Sequence, residues 1–72
     1  MKKLPRDLKP DKVLKALQRS GFEIDHTTGS HYILKKGNLR TSVPFHMTVK
    51  TGTLRSIVTQ AGLTVEEFIE LL

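Results

Sequence analysis

The stretch His31–Val43, HYILKKGNLRTSV, holds two strand-like runs joined by a turn signal. Tyr32–Lys36 is rich in residues that favour strands, and Leu39–Val43 alternates apolar with polar residues. Gly37-Asn38, between the two runs, is typical of a two-residue β-hairpin loop, since both residue types tolerate a positive φ. The stretch therefore predicts an antiparallel hairpin.

A two-residue loop also fixes the register of this hairpin, and with it the face on which each side chain lies. His31 is then expected opposite Pro44. One face is apolar and is predicted to be the core side, with Tyr32, Leu34, Leu39 and Val43. The other face is predicted to stay uncovered, with His31, Ile33, Lys35, Arg40 and Ser42. A histidine and two cations thus share the uncovered face.

The first strand of the sheet is predicted over Phe22–His26, where apolar and polar residues alternate. For Phe22 and Ile24 to join the core side, the Thr27–Ser30 loop needs an odd number of residues, with Gly29 forming a bulge. Asp25 would then point to the uncovered face. There it either orients the ring of His31 or simply faces water.

Helical patterns flank the predicted sheet on both sides. Pro10 suits the first turn of a helix and Gly21 its end. Its apolar positions lie on one side of that helix, at Val13, Leu14, Ala16 and Leu17. A second helix is indicated by an apolar repeat with helical spacing at Leu54, Ile57, Val58 and Ala61.

The ends of the later helices also carry signals. Thr51 or Thr53 is predicted to cap the second helix, and Gly62 to end it. Thr64 and Glu67 form a capping-box pattern that starts a short last helix. The order α-β-β-β-α-α predicts an α+β fold in which helices cover one face of a three-stranded antiparallel sheet. Residues 1–72 are expected to form a single domain.

Composition limits the possible functions. The chain has 12 lysines and arginines against 7 acidic residues, a net charge of +5, which is typical of proteins that bind nucleic acid, acidic proteins or anionic membranes. Without cysteine, it cannot form a disulfide or a thiolate zinc site. No apolar run approaches the roughly 20 residues of a membrane span, and no apolar stretch follows the N-terminal lysines. We expect a cytoplasmic protein without a membrane partner.

His31 is the candidate for chemistry. RNA is cut without a metal when one group takes the proton of the 2′-hydroxyl and another protonates the leaving oxygen, and histidine suits this task. Lys35 and Arg40 would hold the phosphate, and Lys50 and Arg55 flank a helix start whose free amides would bind another. The alternatives are a structural histidine and an ordinary helix cap with flanking cations.

No cofactor is predicted. His26, His31 and His46 lack the spacing of a zinc site, so no metal is expected. No glycine-rich phosphate loop lies between a strand and a helix, so a nucleotide or other small-molecule cofactor is not expected either.

The sequence resembles the HicA family of mRNA interferase toxins, which are partners in toxin–antitoxin modules. The resemblance extends from about Pro10 to Leu72. It rests on motifs in a fixed order: Gly21-Phe22, Gly29-Ser30-His31, Val43–His46, Lys50–Ile57, Gln60–Thr64 and Glu67-Phe68.

This resemblance implies a double-stranded-RNA-binding-domain-like fold and endoribonuclease activity on mRNA. It implies that His31 of the Gly29-Ser30-His31 motif is catalytic, and that a HicB-like antitoxin covers the active site. Many members carry a second histidine where this chain has Tyr32, on the predicted core side. His46 is interpreted as structural. The rival hypothesis is a non-catalytic RNA-binding module that recognises A-form RNA by shape and charge.

Overall fold

The computed structural model of the protein describes residues 3–72. Its elements are, in chain order, α1 (Pro10–Arg19), β1 (Glu23–Thr28), β2 (His31–Lys36), β3 (Leu39–Pro44), α2 (Thr51–Gln60) and α3 (Val65–Leu71). The strands form one antiparallel sheet in the order β1-β2-β3. The α+β class and the α-β-β-β-α order with an extra C-terminal helix, both predicted from the sequence, are confirmed.

Helix α1 begins and ends where its sequence predicts. Pro10 occupies the first turn, where its missing N–H costs no hydrogen bond. Gly21 follows the helix with a φ of +107°, in the region that glycine adopts without a steric cost. The helix buries Val13, Ala16 and Leu17 completely. These side chains form the part of the core that lies over the sheet.

The two later helices differ in how they start. The N-cap of α2 is Lys50, which makes no side-chain cap hydrogen bond, so the predicted caps Thr51 and Thr53 are wrong because both lie inside the helix. Within residues 3–72, the first amides of α2 therefore donate no hydrogen bond to an N-cap side chain. The capping box of α3 is confirmed: the Glu67 amide donates to Thr64 Oγ1 at 3.1 Å, and the Thr64 amide donates to Glu67 Oε1 at 2.8 Å.

The β2–β3 hairpin has the predicted register, with His31 opposite Pro44 and Lys36 opposite Leu39. Its Gly37 has a φ of +58°, whereas Asn38 does not have a positive φ. A positive φ at the first loop position alone is the pattern of a type II′ turn, whose twist matches that of the paired strands. The prediction of a two-residue loop is thus confirmed.

The helix-covered face of this hairpin differs from the predicted core in one residue. Leu34 and Val43 are fully buried, but Leu39 is 40% exposed because it lies at the sheet end beside the loop. Thr41 is buried in its place, and its hydroxyl donates to Gln60 Oε1 at 3.0 Å. This hydrogen bond satisfies a polar group in the core and ties β3 to α2.

Strand β1 departs most from the prediction. It continues to Thr28 and turns through Gly29-Ser30, while the register shift lies between Ile24 and His26. The bulge is therefore at Asp25, and the predicted bulge at Gly29 is wrong. All six residues of β1 are exposed, and Ile24 is 42% exposed. Ile24 does not join the core because helices α1 and α2 pack against β3, which is the edge strand opposite β1 in the sheet.

The segment before α1 packs against the core and pairs with the segment before α2. Leu8 and Val49 form an isolated antiparallel bridge, with backbone hydrogen bonds of 3.2 and 2.7 Å. Leu4 is 8% exposed and belongs to the same core cluster as Val49. Within residues 3–72, no helix is both long enough and apolar enough to cross a membrane.

Candidate active site

The helices pack on one face of the sheet, so side chains on the opposite face meet solvent. We call this surface the open face. Cross-strand partners share a face, and the observed pairs place the following residues on it. The open face consists of Glu23, His26, Thr28, His31, Ile33, Lys35, Arg40, Ser42 and Pro44, and the bulged Asp25 joins it through its contacts with His26 and Lys35.

His31 is the first residue of β2 and lies at one end of the open face. It follows the tight Gly29-Ser30 turn, in which Gly29 has a φ of +54°. The Ser30 carbonyl accepts a 3.0 Å hydrogen bond from the Phe45 amide, which ties the turn to the chain beyond β3. Ser30 Oγ lies 3.5 Å from His31 Nδ1. An exposed imidazole is thus held on an anchored turn, with the neutral hydroxyl of Ser30 near its ring.

Asp25 does not orient His31. Its Oδ2 lies 2.6 Å from His26 Nδ1, and its Oδ1 lies 3.6 Å from Lys35 Nζ. The bulge places Asp25 beside the middle of β2, whereas His31 is paired with Thr28 at the strand end. Asp25 is exposed to water, as the other alternative has it, and its carboxylate also links two side chains of the open face.

The pKa of the Asp25 carboxyl is lowered from its ordinary value. The hydrogen bond with His26 is the largest cause, and the positive charge of Lys35 acts in the same direction. Loss of hydration works in the opposite direction without overcoming these effects. Asp25 is therefore an anionic link between the imidazole of His26 and the ammonium group of Lys35.

Lys35 and Arg40 are cross-strand partners, as expected, and lie together on the open face. They differ in their electrostatic partners. Lys35 is paired with Asp25, whereas no carboxylate of residues 3–72 lies within ion-pair distance of Arg40. Arg40 lines a shallow depression at the edge of β3 with Ile33, Thr41, Ser42 and Gln60. The guanidinium group of Arg40 can thus bind an anion without first breaking an ion pair.

Lys50 and Arg55 are placed in the helical layer and not on the open face. Lys50 precedes α2, and Arg55 lies in its first turns. Arg55 lines a pocket at the start of this helix with Lys3, Leu4, Arg6, Thr51, Val65 and Glu66. It also lines a groove that reaches Gln60, which borders the depression beside Arg40. Of the four predicted phosphate contacts, Arg40 and Arg55 thus line cavities that share Gln60, at the edge of β3.

His46 belongs to an aromatic stack. Its ring centroid lies 4.7 Å from that of Phe45, which lies 4.6 Å from that of Tyr32. Tyr32 is half-buried on the helix-covered face, so these ring contacts connect His46 to the covered side of the sheet. This packing agrees with the structural interpretation of His46. Among residues 3–72, no three histidine, cysteine or acidic side chains come together as possible metal ligands.

Sequence reasoning missed the pairing of Asp25 with His26. Simple alternation from Phe22 puts His26 on the core side, and the bulge moves it to the open face. The adjacent Asp-His pair was visible in the sequence, but its orientation depends on where the bulge lies.

Comparison with known proteins identifies the family of the chain. A family model described as HicA toxin of bacterial toxin-antitoxin matches residues 10–63, which is well over half of the 72 residues. No curated protein matches the chain. The matched range begins with α1 and runs past α2, so it contains the whole sheet and the open face. The chain therefore belongs to the HicA family, the toxins of bacterial toxin–antitoxin systems.

Proposed function

We propose that the protein is a metal-independent endoribonuclease that cleaves mRNA in the cytoplasm and uses His31 as a catalytic residue. The observation that carries this proposal is the position of His31, exposed at the start of β2 on the same face as Lys35 and Arg40. An accessible imidazole on the same face as cations suits cleavage of a polyanion, because histidine exchanges protons near neutral pH and cations stabilise the transition-state charge.

Each part of the site has a role in this reaction. His31 takes the proton of the 2′-hydroxyl, whose oxygen then attacks the adjacent phosphorus. Arg40 and Lys35 hold the phosphate on the open face. Gly29 and Ser30 support the reaction by holding His31 on its turn.

A longer RNA would extend beyond the open face. The depression beside Arg40 and the groove beside Arg55 both border Gln60, which supports a path around the edge of β3. Lys50 lies at the start of the same helix as Arg55. These two residues would bind phosphates away from the cleavage point.

Membership of the family implies an antitoxin partner. We propose that this partner is HicB-like and covers the open face, so that it blocks cleavage by occluding His31 without unfolding the toxin. Ile33 is the half-buried apolar residue among polar neighbours on this face, which suits an anchor for a protein contact. An acidic partner surface would complement Lys35 and Arg40 and speed association.

The decisive experiment incubates the purified protein with a long mRNA in the presence of EDTA. Cleavage is expected to continue, and an RNA carrying a 2′-deoxyribonucleotide at the mapped cleavage position should stay intact there. Cleavage that EDTA stops and a divalent metal restores would contradict the proposal. Binding that falls steeply with salt but gives no cleavage would favour the rival RNA-binding module.

The antitoxin proposal has its own test. Charge reversal of Lys35 and Arg40 to glutamate should weaken binding of both RNA and the antitoxin, because both would use the open face. Reversal of Lys12 and Lys15, which are exposed on α1, serves as a control of equal charge change. A complex of toxin, antitoxin and intact RNA in which His31 still reacts with a histidine-modifying reagent would contradict the occlusion mechanism.

A further inference from the structure

The open face holds a second imidazole that the family motif does not include. His26 lies across the strands from Ile33, and His31 lies two residues from Ile33 on β2. Diagonal positions of this kind are about 7–8 Å apart in an antiparallel sheet. Two histidines therefore flank the half-buried side chain of Ile33 on one solvent-facing surface.

His26 is held in one orientation. Its Nδ1 is hydrogen-bonded at 2.6 Å to Asp25 Oδ2, and Asp25 is in turn paired with Lys35. Because a carboxylate oxygen only accepts hydrogen bonds, Nδ1 must carry a proton in this contact. The other nitrogen, Nε2, is then the atom through which His26 exchanges protons with a ligand.

We propose that His26 is the general acid of the RNA cleavage assigned above, with Asp25 as the residue that positions it. This inference rests on the proposed function. Cleavage that starts with removal of the 2′-hydroxyl proton needs a second group to protonate the departing oxygen. The attacking and departing oxygens lie on opposite sides of the phosphorus atom. A pair of imidazoles separated along a sheet diagonal reaches both sides.

The side chains next to the two histidines indicate which one is the general acid and which one is the general base. A general acid starts the reaction protonated and positively charged, and His26 has the Asp25 carboxylate as its counter-ion. A general base starts neutral, and His31 has the neutral hydroxyl of Ser30 at 3.5 Å. His46 is not assigned this role, because its ring packs against that of Phe45 and no carboxylate of residues 3–72 lies within ion-pair distance of it.

The reaction balances with these two groups. His31 removes the 2′-hydroxyl proton, the 2′-oxygen forms a bond to phosphorus, and the bond from phosphorus to the 5′-oxygen breaks. Protonated His26 gives its Nε2 proton to that 5′-oxygen. The products are a 2′,3′-cyclic phosphate and a 5′-hydroxyl. Protons return to their starting positions through water.

The test compares two versions of one RNA, cut at the mapped site. In the second version sulfur replaces the departing 5′-oxygen, and a thiolate leaves without being protonated. We expect His26→Ala to slow cleavage of the ordinary RNA by about 10²–10⁴-fold, the usual contribution of a general acid. The same variant should cleave the sulfur-substituted RNA within a few-fold of the wild-type rate. His31→Ala should be slow on both substrates.

Control variants separate this role from others. Asp25→Asn should slow cleavage of the ordinary RNA but not of the sulfur-substituted RNA, which a merely structural residue would not do. His46→Ala should match the wild type on both. If His26→Ala equals the wild type on ordinary RNA, or is equally slow on both RNAs, the general-acid role is wrong while the proposed function stands. A wild-type protein that cleaves neither RNA refutes the proposed function itself.

Discussion

Substitutions at two adjacent residues of β2 test whether the helices cover only one face of the sheet, because the two side chains point to opposite faces. Leu34 is fully buried under the helices, whereas Ile33 lies on the open face and is only half-buried. Removing a fully buried leucine side chain costs about 3 kcal/mol within an observed range of about 2–5 kcal/mol. For Leu34→Ala in a domain of this size, that loss lowers Tm by about 12–24 °C. Ile33→Ala should cost roughly 1 kcal/mol, since its side chain has no helix above it.

Thermal and urea unfolding, followed by circular dichroism, measure both effects on variants that differ by one position. The m-value in urea reports whether the unfolding reaction stays the same. Antitoxin binding provides the complementary readout, because Ile33→Ala should weaken the complex while leaving the free toxin folded. Equal losses of stability in the two variants would refute the division into a covered and an open face.

Three further predictions concern individual residues of the site. The pKa of Asp25, followed by carboxyl NMR, should lie below the ordinary aspartate value of about 3.9 and rise in His26→Ala, which removes the main cause of the shift. The lowered pKa stabilises the folded protein at pH values above the ordinary aspartate pKa, and this stabilisation is lost as pH falls through the lowered pKa. An Asp25 pKa that stays the same in His26→Ala would contradict the assigned cause of the shift. Arg40→Gln should reduce the slope of log affinity for single-stranded RNA against log salt by about 0.7, whereas Lys12→Gln leaves it unchanged. Gly29→Ala should destabilise the fold by about 1–2 kcal/mol, because alanine is strained at a φ of +54°. The added methyl group itself would have space, since no heavy atom outside the adjacent residues lies within 4 Å of its position. An unchanged Tm would contradict this prediction.

The β2–β3 hairpin could be predicted in detail because its information is local. Gly37-Asn38 specified the loop length, and the loop length specified every pair from His31–Pro44 to Lys36–Leu39. The same logic failed for β1, because a bulge shifts the register by one residue without a distinct sequence signal. Alternation alone allowed the bulge at Gly29, and the structure has it at Asp25.

Burial was harder to predict where it depends on distant parts of the chain. Ile24 has a strand-like pattern but lies on β1, away from the helices packed against β3. Thr41 is buried because Gln60, which is remote in sequence, accepts its hydrogen bond. The bridge between Leu8 and Val49 likewise joins segments with no local pattern in common.

In the candidate site, too, features set by local sequence could be predicted, whereas features that depend on the tertiary structure could not. The position of His31 beside Lys35 and Arg40 followed from the hairpin register and could be predicted. The contact between Asp25 and His26 required the three-dimensional position of the bulge. Sequence put Lys50 and Arg55 in the helical layer, but it could not show that Arg55 and Arg40 line cavities that share Gln60, since that depends on how α2 packs against β3.

The catalytic role of His31 is tested by the initial rate of mRNA cleavage by His31→Ala, compared with His46→Ala and the wild type. Both histidines are exposed, so both variants should keep the circular dichroism spectrum of the folded protein, although His46→Ala also loses a ring contact with Phe45. We predict that His31→Ala loses cleavage by about 10²-fold or more while its RNA affinity changes little, and that His46→Ala keeps the wild-type rate. A folded His31→Ala protein that cleaves mRNA at the wild-type rate would contradict the account.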